Sequence, residues 1–366
     1  MTSIERREGR FQRRKAKRLA KKEEKLRVFD EVMSWRHLIN ASHKCVLGVK
    51  WKASTQYHNA YELLIVARQK KALKTDTYKA LPFMKFAKYD HGKVRNITSC
   101  HIKDRVVQKA LVDNCLLPIL VPKLIYDNGA CLKYKGITFS RRRIKLHLKR
   151  AIKEYGNFYV LQFDYKSYFA SINHKILLDK VSEAIKDKRL VALYAQLLHD
   201  FEGDCGIGLG SQISQISAIY YLNKVDHLIK EKLGIKEFGR YMDDGYIIHP
   251  DKKYLSKCKD IIEKELEKIG VRFNNKKTQI VKITKGINFL KRKYQIQNNE
   301  PLVRPCRKTI VHERRRLNRM IKNEKFTRDT IIASEESWES CLIGTKAYKQ
   351  KMSMREILKK GDLCYG

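Results

Sequence analysis

The fold is decided by one stretch of sequence, Phe238-Gly239-Arg240-Tyr241-Met242-Asp243-Asp244-Gly245-Tyr246-Ile247-Ile248. Aromatic and β-branched residues, which favour strands, lie on both sides of an Asp-Asp-Gly sequence, and Asp-Gly is a strong turn signal. The stretch therefore predicts a β-hairpin that carries two adjacent carboxylates in its turn.

Another carboxylate lies upstream, at the end of a second apolar stretch. The run from Phe158 to Phe163 is rich in strand-forming residues and is followed at once by Asp164, which predicts a buried strand with a carboxylate at its end. Together with the hairpin, this strand predicts three carboxylates on neighbouring strands of one sheet. The alternative is an ordinary acidic turn and an unrelated aspartate at a strand end.

Helical patterns surround these two elements. We expect an amphipathic helix from Asn173 to about His199, a helix after the glycine-rich turn 206–211 with Ser211 as its N-cap, a helix from Leu255 to Ile269, a strand from Gln279 to Ile283 and basic helices from Pro305 onward. This order of elements indicates an α+β domain in which helices pack against an antiparallel sheet.

Aromatic side chains are interleaved with lysines between Phe29 and Ile119. They are Trp35, Trp51, Tyr57, Tyr61, Tyr78, Phe83, Phe86 and Tyr89. We expect most of these rings in the core and a few of them stacked on bases or sugars.

The composition points to a polyanionic partner. The chain has 79 Lys and Arg against 39 Asp and Glu, a net charge of +40, and its 43% hydrophobic residues exclude a wholly disordered basic tail. The nine cysteines are spaced singly, which favours reduced thiols over a zinc site or a disulfide framework. No apolar run approaches the roughly 20 residues of a bilayer span, and no secretory signal opens the chain. We therefore expect a cytoplasmic location and no membrane contact.

The three carboxylates suggest metal-dependent chemistry. Nucleotidyl transfer uses two divalent ions, one at the attacking oxygen and one at the leaving pyrophosphate, and Mg²⁺ prefers carboxylate oxygens. A strongly basic chain that concentrates acids beside apolar strands is expected to use them in a site. Asp164, Asp243 and Asp244 are accordingly predicted to bind Mg²⁺, two ions per site, with Mn²⁺ able to substitute.

These residues also resemble the sequence boxes of reverse transcriptases. Tyr241-Met242-Asp243-Asp244 resembles the YxDD box of that family. The other matching boxes, in chain order, are Lys93-Val94-Arg95, Asp104-Arg105-Val106-Val107-Gln108, Leu116-Leu117-Pro118, Phe163-Asp164 with Tyr168-Phe169 and His174, Gly210 with Ser214-Gln215, Asn274 with Lys277-Thr278, and Gly286-Ile287-Asn288-Phe289-Leu290. The resemblance is nearest to free-standing bacterial and phage enzymes, those of diversity-generating retroelements and of antiphage defence.

Some positions depart from the common pattern of the family. Leu209 and Ser214-Gln215 resemble the diversity-generating type, whereas Cys131-Leu132-Lys133 and Leu290-Lys291-Arg292 replace the usual Arg-Pro and Leu-Gly-Tyr sequences. The subclass therefore stays open.

The resemblance implies a right-hand polymerase fold with fingers, a palm built on an antiparallel sheet, and a helical thumb. The implied segments are a basic N-terminal arm at 1–28, fingers with an N-terminal extension at 29–157, a palm at 158–292 and the thumb at 293–366. Because few residues follow the box at Gly286–Leu290, we expect no maturase, endonuclease or RNase H domain after it.

The family's roles carry over to matching positions. The resemblance implies that Asp164 and Asp243 are the main metal ligands with Asp244 in support, and that Lys277 acts on the leaving pyrophosphate. It assigns nucleotide binding to Lys93, Arg95, Phe169, Gly210 and Gln215, with Phe169 as the steric gate against a 2′-hydroxyl. It assigns template or primer binding to Tyr241, Met242, Gly286, Phe289, Leu290, Arg314 and Arg315. The alternatives are a core Phe169 and plain surface cations at Lys93, Arg95 and Lys277. His174 is expected to be a structural residue and not a catalytic base.

The function implied is an RNA-directed DNA polymerase that makes cDNA from a dedicated noncoding RNA in antiphage defence. One alternative is the mutagenic reverse transcriptase of a diversity-generating retroelement. Alternatives of other classes are an RNA-binding scaffold and an RNA-templated RNA polymerase. The expected partners are the noncoding RNA template, the cDNA/RNA duplex and dNTPs, and an accessory protein or a homo- or hetero-oligomer is left open.

Overall fold

The structure is a computed structural model that describes residues 28–90, 93–323 and 325–360 together with Arg18. The predicted basic arm at 1–28 therefore lies almost wholly outside the described residues. The described chain forms two compact units that are interleaved along the sequence. The first unit contains the residues up to Leu132, then Lys166–Leu228 and Lys264–Arg272. The second unit contains Lys133–Tyr165, Ile229–Glu263 and the residues from Phe273 onward.

Helices make up most of both units. In chain order the described helices are α1 (Phe29–Val32), α2 (Trp35–Val46), α3 (Ala53–Ala60), α4 (Glu62–Lys74), α5 (Ile102–Leu111), α6 (Leu117–Leu120), α7 (Ile137–Tyr155), α8 (Tyr168–Ser171), α9 (His174–Ser182), α10 (Lys188–His199), α11 (Gln212–Tyr221), α12 (Asn223–His227), α13 (Lys252–Glu267), α14 (Arg307–Ile321), α15 (Arg328–Cys341) and α16 (Tyr348–Lys360). Short π-helical turns occupy Val112–Leu116 and Leu228–Lys232, and 3₁₀ turns occupy Val121–Lys123 and Ile283–Lys285.

The strands form three antiparallel sheets. In chain order they are β1 (Met84–Asp90), β2 (Lys93–Ser99), β3 (Tyr159–Asp164), β4 (Phe238–Tyr241), β5 (Asp244–His249), β6 (Gln279–Lys282), β7 (Ile287–Phe289), β8 (Arg292–Gln297) and β9 (Glu300–Pro305). The first unit holds the hairpin β1-β2, and the second holds the four-stranded sheet β4-β5-β3-β6 and the three-stranded sheet β7-β8-β9. The α+β class with an antiparallel sheet is therefore confirmed.

The core of the second unit explains why β3 and β5 are apolar along most of their length. Ile144 and Leu148 of α7 pack with Phe158 and Val160 near β3, and Phe289 of β7 joins the same buried cluster. Because side chains on both faces of β3 are buried, the strand reads as a nearly continuous apolar run rather than an alternating one.

The carboxyl-terminal helices have a core of their own. Leu317 of α14, Trp338 of α15 and Met354 and Leu358 of α16 are buried together, so Trp338 is part of the core of this segment. The helices begin only at Arg307, because β8 and β9 occupy most of the first part of the predicted helical thumb at 293–366.

Three local expectations need correction. The helix expected from Asn173 to His199 is two helices, α9 and α10, because the Asp187 carboxylate accepts hydrogen bonds from Arg189 N and Leu190 N and starts a new helix. Ser211 does occupy the N-cap position of α11, but its hydroxyl donates to Gln108 Oε1 at 2.9 Å and makes no cap bond.

The third correction concerns the hairpin. Tyr241 pairs directly with Asp244, so the turn consists of Met242 and Asp243, and Asp244 is already the first residue of β5. Met242 has a positive φ of 55°, as two-residue hairpin turns require.

Most of the aromatic residues predicted for the core of the first unit are on its surface. Six of the eight are exposed, namely Trp35, Trp51, Tyr57, Tyr61, Phe86 and Tyr89, whereas Tyr78 is buried. In the described part of the chain, no helix is long and apolar enough to span a membrane.

Candidate active site

Three carboxylates lie at one end of the four-stranded sheet in the second unit. Asp164, the last residue of β3, is the direct antiparallel partner of Asp244, the first residue of β5. Asp243 precedes Asp244 in the two-residue turn that connects β4 to β5. The sheet register therefore brings together the two carboxylate positions that the sequence predicted to be neighbours.

The close approach of β3 and β5 depends on Gly245. A Cβ atom at this position would lie 2.2 Å from the ring of Phe163, the residue opposite it on β3. Any larger residue would push the two strands apart at the point where their carboxylates meet. The requirement for Gly245 is therefore steric, and its backbone needs no positive φ.

The turn has a buried arginine beneath it. Arg240 of β4 is almost fully buried, and its Nη1 atom donates to the carbonyl oxygen of Met242 at 2.9 Å. This bond helps to fix the turn that presents Asp243. The sequence gives no signal for this role of Arg240, because one more cation in a chain so rich in Lys and Arg does not stand out.

The Asp164 carboxylate is held by hydrogen bonds from Asn274 and Lys277, which lie just before β6. Lys277 Nζ lies 2.9 Å from both carboxylate oxygens of Asp164. Asn274 donates its side-chain amide to Asp164 Oδ2 at 3.0 Å and its backbone N–H to the Asp164 carbonyl at 2.7 Å. Two residues of the Asn-x-x-Lys-Thr box thus position one carboxylate. The role of Asn274 was missed, although the box that contains it was recognised.

The electrostatics of this cluster show an excess of negative charge. Burial, followed by the neighbouring charges of Asp243 and Asp164, raises the pKa of Asp244 to about 7 against the opposing effect of Lys277. Burial alone would lower the pKa of Lys277, but its hydrogen bond to Asp164 and the charges of all three aspartates outweigh burial, so that its pKa is raised. Lys277 is therefore a firmly protonated cation beside incompletely neutralised acids.

The chemistry of the cluster fits a hard divalent cation. Its ligand atoms are carboxylate oxygens, which Mg²⁺ and Mn²⁺ accept, and the raised pKa of Asp244 shows that one ammonium group does not neutralise them. Among the described residues, no three Asp, Glu, His or Cys side chains already converge into a metal site. Asp164 is instead paired with Lys277, so the assignment of all three aspartates as ligands stays a prediction.

The residues predicted to bind primer or template are distributed over several elements of the second unit. Tyr241 and Met242 are half-buried at the hairpin turn, and Gly286, with φ of 78°, precedes β7. The Phe289 ring is buried against Tyr246, 5.0 Å between ring centroids, so it supports the segment from within the core. Leu290 has a positive φ and its carbonyl accepts from Arg141 at 2.9 Å.

Arg314 and Arg315 are exposed on α14 in the second unit. Arg314 donates to Ser353 Oγ on α16 at 3.2 Å. Because this helix belongs to the packed carboxyl-terminal helices, the two guanidinium groups project from a stable surface.

The residues predicted to bind the nucleotide all belong to the first unit. Lys93 and Arg95 lie in β2, Phe169 is half-buried in α8 with its ring 5.8 Å from that of Tyr168, and Gln215 is exposed on α11. Gly210 has φ of 113°, and a Cβ there would lie 3.1 Å from the Thr98 carbonyl oxygen. The His174 ring is bonded to the Gly206 carbonyl at 2.6 Å, the structural role expected for it.

The glycine-rich segment is fixed to the β1-β2 hairpin within this unit. Thr98 N donates to the Leu209 carbonyl at 3.1 Å, next to a bridge between Ile97 and Leu209. A Cβ at Gly208 would lie 2.7 Å from both Phe201 and Thr98. These glycines therefore allow a close approach of two segments that both carry predicted nucleotide-binding residues.

Comparisons with known proteins agree with the resemblance seen in the sequence. A family model described as "Reverse transcriptase (RNA-dependent DNA polymerase)" matches residues 85–293, more than half of the chain. "Protein YkfC" of Escherichia coli (strain K12) is 22% identical over 284 residues, which covers 65% of this chain and 72% of that protein.

Solved structures of telomerases are among those that match. Apo telomerase from Candida Tropicalis, truncated from its C-terminal domain, aligns with a TM-score of 0.48 at 15% identity, covering 67% of this chain and 60% of that one. Telomerase from Candida albicans, in complex with a TWJ fragment of telomeric RNA, aligns with a TM-score of 0.49 at 12% identity, covering 83% of this chain and 63% of that one. The chain spans less than two thirds of either telomerase chain.

Proposed function

The chain belongs to the reverse transcriptase family, with the RNA-directed DNA polymerase domain and right-hand fold of that family, and we propose that it copies a dedicated noncoding RNA into cDNA. The observation that carries the proposal is the pairing of Asp164 with Asp244 across β3 and β5, with Asp243 in the adjoining turn. Members of this family use divalent metal ions, and we assign Mg²⁺ to these three aspartates, with Mn²⁺ as a substitute. When bound, two such ions supply charge neutralisation at the attacking oxygen and at the leaving pyrophosphate.

Lys277 acts on the leaving group in this proposal. Its ammonium group stands at the carboxylate cluster, and its raised pKa keeps the proton in place at neutral pH. A protonated amine beside the departing pyrophosphate neutralises the charge that develops there and is able to donate a proton. Asn274 is a positioning residue in this scheme, because its side-chain amide donates a hydrogen bond to the Asp164 carboxylate.

The nucleotide is bound by the residues of the first unit. We assign the triphosphate to Lys93 and Arg95, because a guanidinium is suited to bidentate phosphate contact. Gly210 and Gln215 shape the pocket around the templating pair. Phe169 is assigned to exclude a 2′-hydroxyl, and its ring is only half-buried within its unit, which leaves surface available to a sugar.

The protein binds the template and the cDNA/RNA duplex through their sugar-phosphate backbones. Arg314 and Arg315 on α14 are exposed cations suited to phosphates, and the segment from Gly286 to Leu290 with the turn at Tyr241 and Met242 is assigned to the primer end. The net charge of +40 provides the general attraction to RNA. Phosphate contacts carry no sequence information, so these cations do not select one RNA sequence over another.

The biological role proposed is antiphage defence, in the cytoplasm. The second candidate, diversification by a retroelement, is favoured by Leu209 and by Ser214-Gln215, which resemble that type. An accessory protein or oligomer is compatible with both roles. The identity of the RNA and of its cDNA separates the two roles.

The test is to purify the protein and its Asp243→Asn variant from the native host and to sequence the RNA and DNA that accompany each. We expect one dominant RNA with both proteins and its cDNA with the wild type alone. The variant is the matched control, because it keeps the fold and the basic surface. A random RNA population with both proteins, or cDNA with the variant, would contradict the proposal.

A further inference from the structure

The first unit has an unusual concentration of exposed rings around α3. Trp51, just before the helix, is 75% exposed, Tyr57 within it is 58% exposed, and Tyr61 at its end is 50% exposed. Tyr194 and Tyr221 of the same unit are fully buried, whereas Tyr89 and Tyr126 are exposed in other parts of it. Large aromatic side chains that remain exposed near one another usually mark a binding surface.

The exposed rings are held on a firmly anchored helix. The opposite side of α3 contributes Thr55 and His58 to the interior, where the His58 Nε2 atom lies 2.8 Å from Ser42 Oγ of α2. Ser42 in turn donates to the carboxylate of Glu62 in α4. This buried network joins three helices, so that the rings on the outer side belong to an ordered surface.

The rings are arranged in a way that suits stacking. Tyr57 and Tyr61 are one helical turn apart, with ring centroids 4.9 Å from each other and ring planes inclined by 45°. Lys52 Nζ lies 5.3 Å from the centroid of the Trp51 ring. Flat aromatic rings stack on the faces of bases, and ammonium groups beside them bind the phosphates between those bases.

The charge around the rings selects the partner. Between Lys44 and Lys74 the chain has seven Lys or Arg residues and a single acid, Glu62. Lys50 and Lys52 are exposed on either side of Trp51. Lysine is depleted in the centres of protein–protein interfaces, whereas aromatic rings flanked by cations are typical of surfaces for single-stranded nucleic acid.

We propose that Trp51, Tyr57 and Tyr61, with Lys50 and Lys52, form an aromatic surface that binds unpaired nucleotides of RNA. This surface belongs to the first unit and contains none of the residues assigned to catalysis or to the incoming nucleotide. The inference rests on the proposed function only in taking RNA as the nucleic acid. It gives the enzyme a way to retain its template RNA through an unpaired segment outside the copied region.

The test is equilibrium binding of a fluorescent, unstructured RNA of about 12 nucleotides, with an RNA duplex of the same length as a second probe. The Trp51→Ala/Tyr57→Ala variant is expected to bind the single strand about ten- to a hundredfold more weakly and the duplex less than about twofold more weakly. Trp51→Phe/Tyr57→Phe should recover most of the loss. Leu63→Ala, at an exposed leucine of α4, is the matched control and should bind like the wild type.

A second variant tests the cations separately from the rings. For a single strand, Lys50→Ala/Lys52→Ala should reduce the slope of log Kd against log salt by about 1.4, since each phosphate contact contributes about 0.7. The aromatic variant should leave that slope unchanged.

Unchanged single-strand binding by the aromatic variant would overturn the inference, as would equal losses for single strand and duplex. In parallel, cDNA synthesis is measured with the wild-type protein alone, as an independent test of the proposed function. An active wild type together with unchanged binding by the aromatic variant would refute the surface and leave the proposed function intact. An inactive wild type together with the expected loss of binding would do the reverse.

Discussion

The acidic end of the β4-β5-β3-β6 sheet and the aromatic surface around α3 differ in how their function depends on the fold. At the sheet, strand register sets Asp164 opposite Asp244, and the site is defined by which residues meet. Around α3, Trp and Tyr side chains would be ordinary core residues if they were buried, so that site is defined by their exposure alone. A site made of converging residues can be recognised in a sequence, whereas a site made of exposed ones requires the structure.

The largest effect is expected at the hairpin turn. Asp243→Asn keeps the size of the side chain and removes a charge assigned to metal binding, so RNA-templated synthesis should fall by about three orders of magnitude or more, while the melting temperature changes little. Asp251→Asn is the matched control, since Asp251 is an exposed cap that asparagine can replace. Primer extension with purified proteins measures both, and undiminished synthesis by the Asp243 variant would remove the catalytic assignment.

Lys277 tests whether the cation at the carboxylates takes part in the reaction. Lys277→Met should lower kcat about a hundredfold, because general acid catalysis and charge neutralisation at the leaving pyrophosphate are lost together. Lys276→Met changes an exposed lysine next to it in sequence and should leave kcat within about twofold. Equal losses in the two variants would mean that total charge, and not the contact with Asp164, matters.

Phe169 tests the steric gate that is assigned to the nucleotide-binding residues of the first unit. If its ring closes on C2′ of the sugar, Phe169→Val should lower the preference for dNTPs over rNTPs by about tenfold or more, because a steric clash is removed. The dNTP rate itself should change little. A core phenylalanine would behave differently, since truncation would cost about 3–5 kcal/mol of stability and leave the ratio of the two substrates as it was. The substrate ratio and the melting temperature, measured on the same sample, separate the two roles.

The pH dependence of stability gives the smallest effect and reports on the carboxylates without any activity. Burial and the neighbouring aspartates raise the pKa of Asp244 to about 7 from the usual 3.8. The folded, metal-free protein therefore holds this proton more tightly than the unfolded chain, and stability should be lost as pH rises from about 4 through 7.

Asp244→Asn removes that titration. The free energy of unfolding in EDTA should fall with pH more steeply for the wild type than for the variant. Parallel pH profiles of the two proteins would show that the carboxylates do not repel each other as the sheet register indicates.

The sequence predicted the acidic sheet well because its signals are local. An apolar run that ends in Asp164 and a turn signal after Tyr241 each specify a short element, and pairing them requires only an antiparallel sheet. The errors have two causes. Asp187 starts a new helix by a local cap bond within a continuous amphipathic pattern, and Ser211 bonds to Gln108, which is distant in sequence, instead of capping its own helix.

The aromatic residues between Phe29 and Ile119 show the same limit for burial. Their spacing is compatible with a core face, and only the packing of α2, α3 and α4 through Ser42, His58 and Glu62 shows that Trp51 and Tyr57 are on the outer side. Arg240 and Asn274 were missed for a related reason, because each acts through a contact to a backbone or carboxylate that the sequence does not reveal.

The most direct measurement is incorporation of dNTPs and of rNTPs by the purified wild-type protein on a primed RNA template, with Mg²⁺ and with EDTA. The acidic sheet end and the family's nucleotide boxes predict extension with dNTPs, a strong preference over rNTPs, and no extension in EDTA. Extension with rNTPs in preference to dNTPs, or extension that persists in EDTA, would contradict the assignment of Asp164, Asp243 and Asp244 to metal-dependent, RNA-directed DNA synthesis.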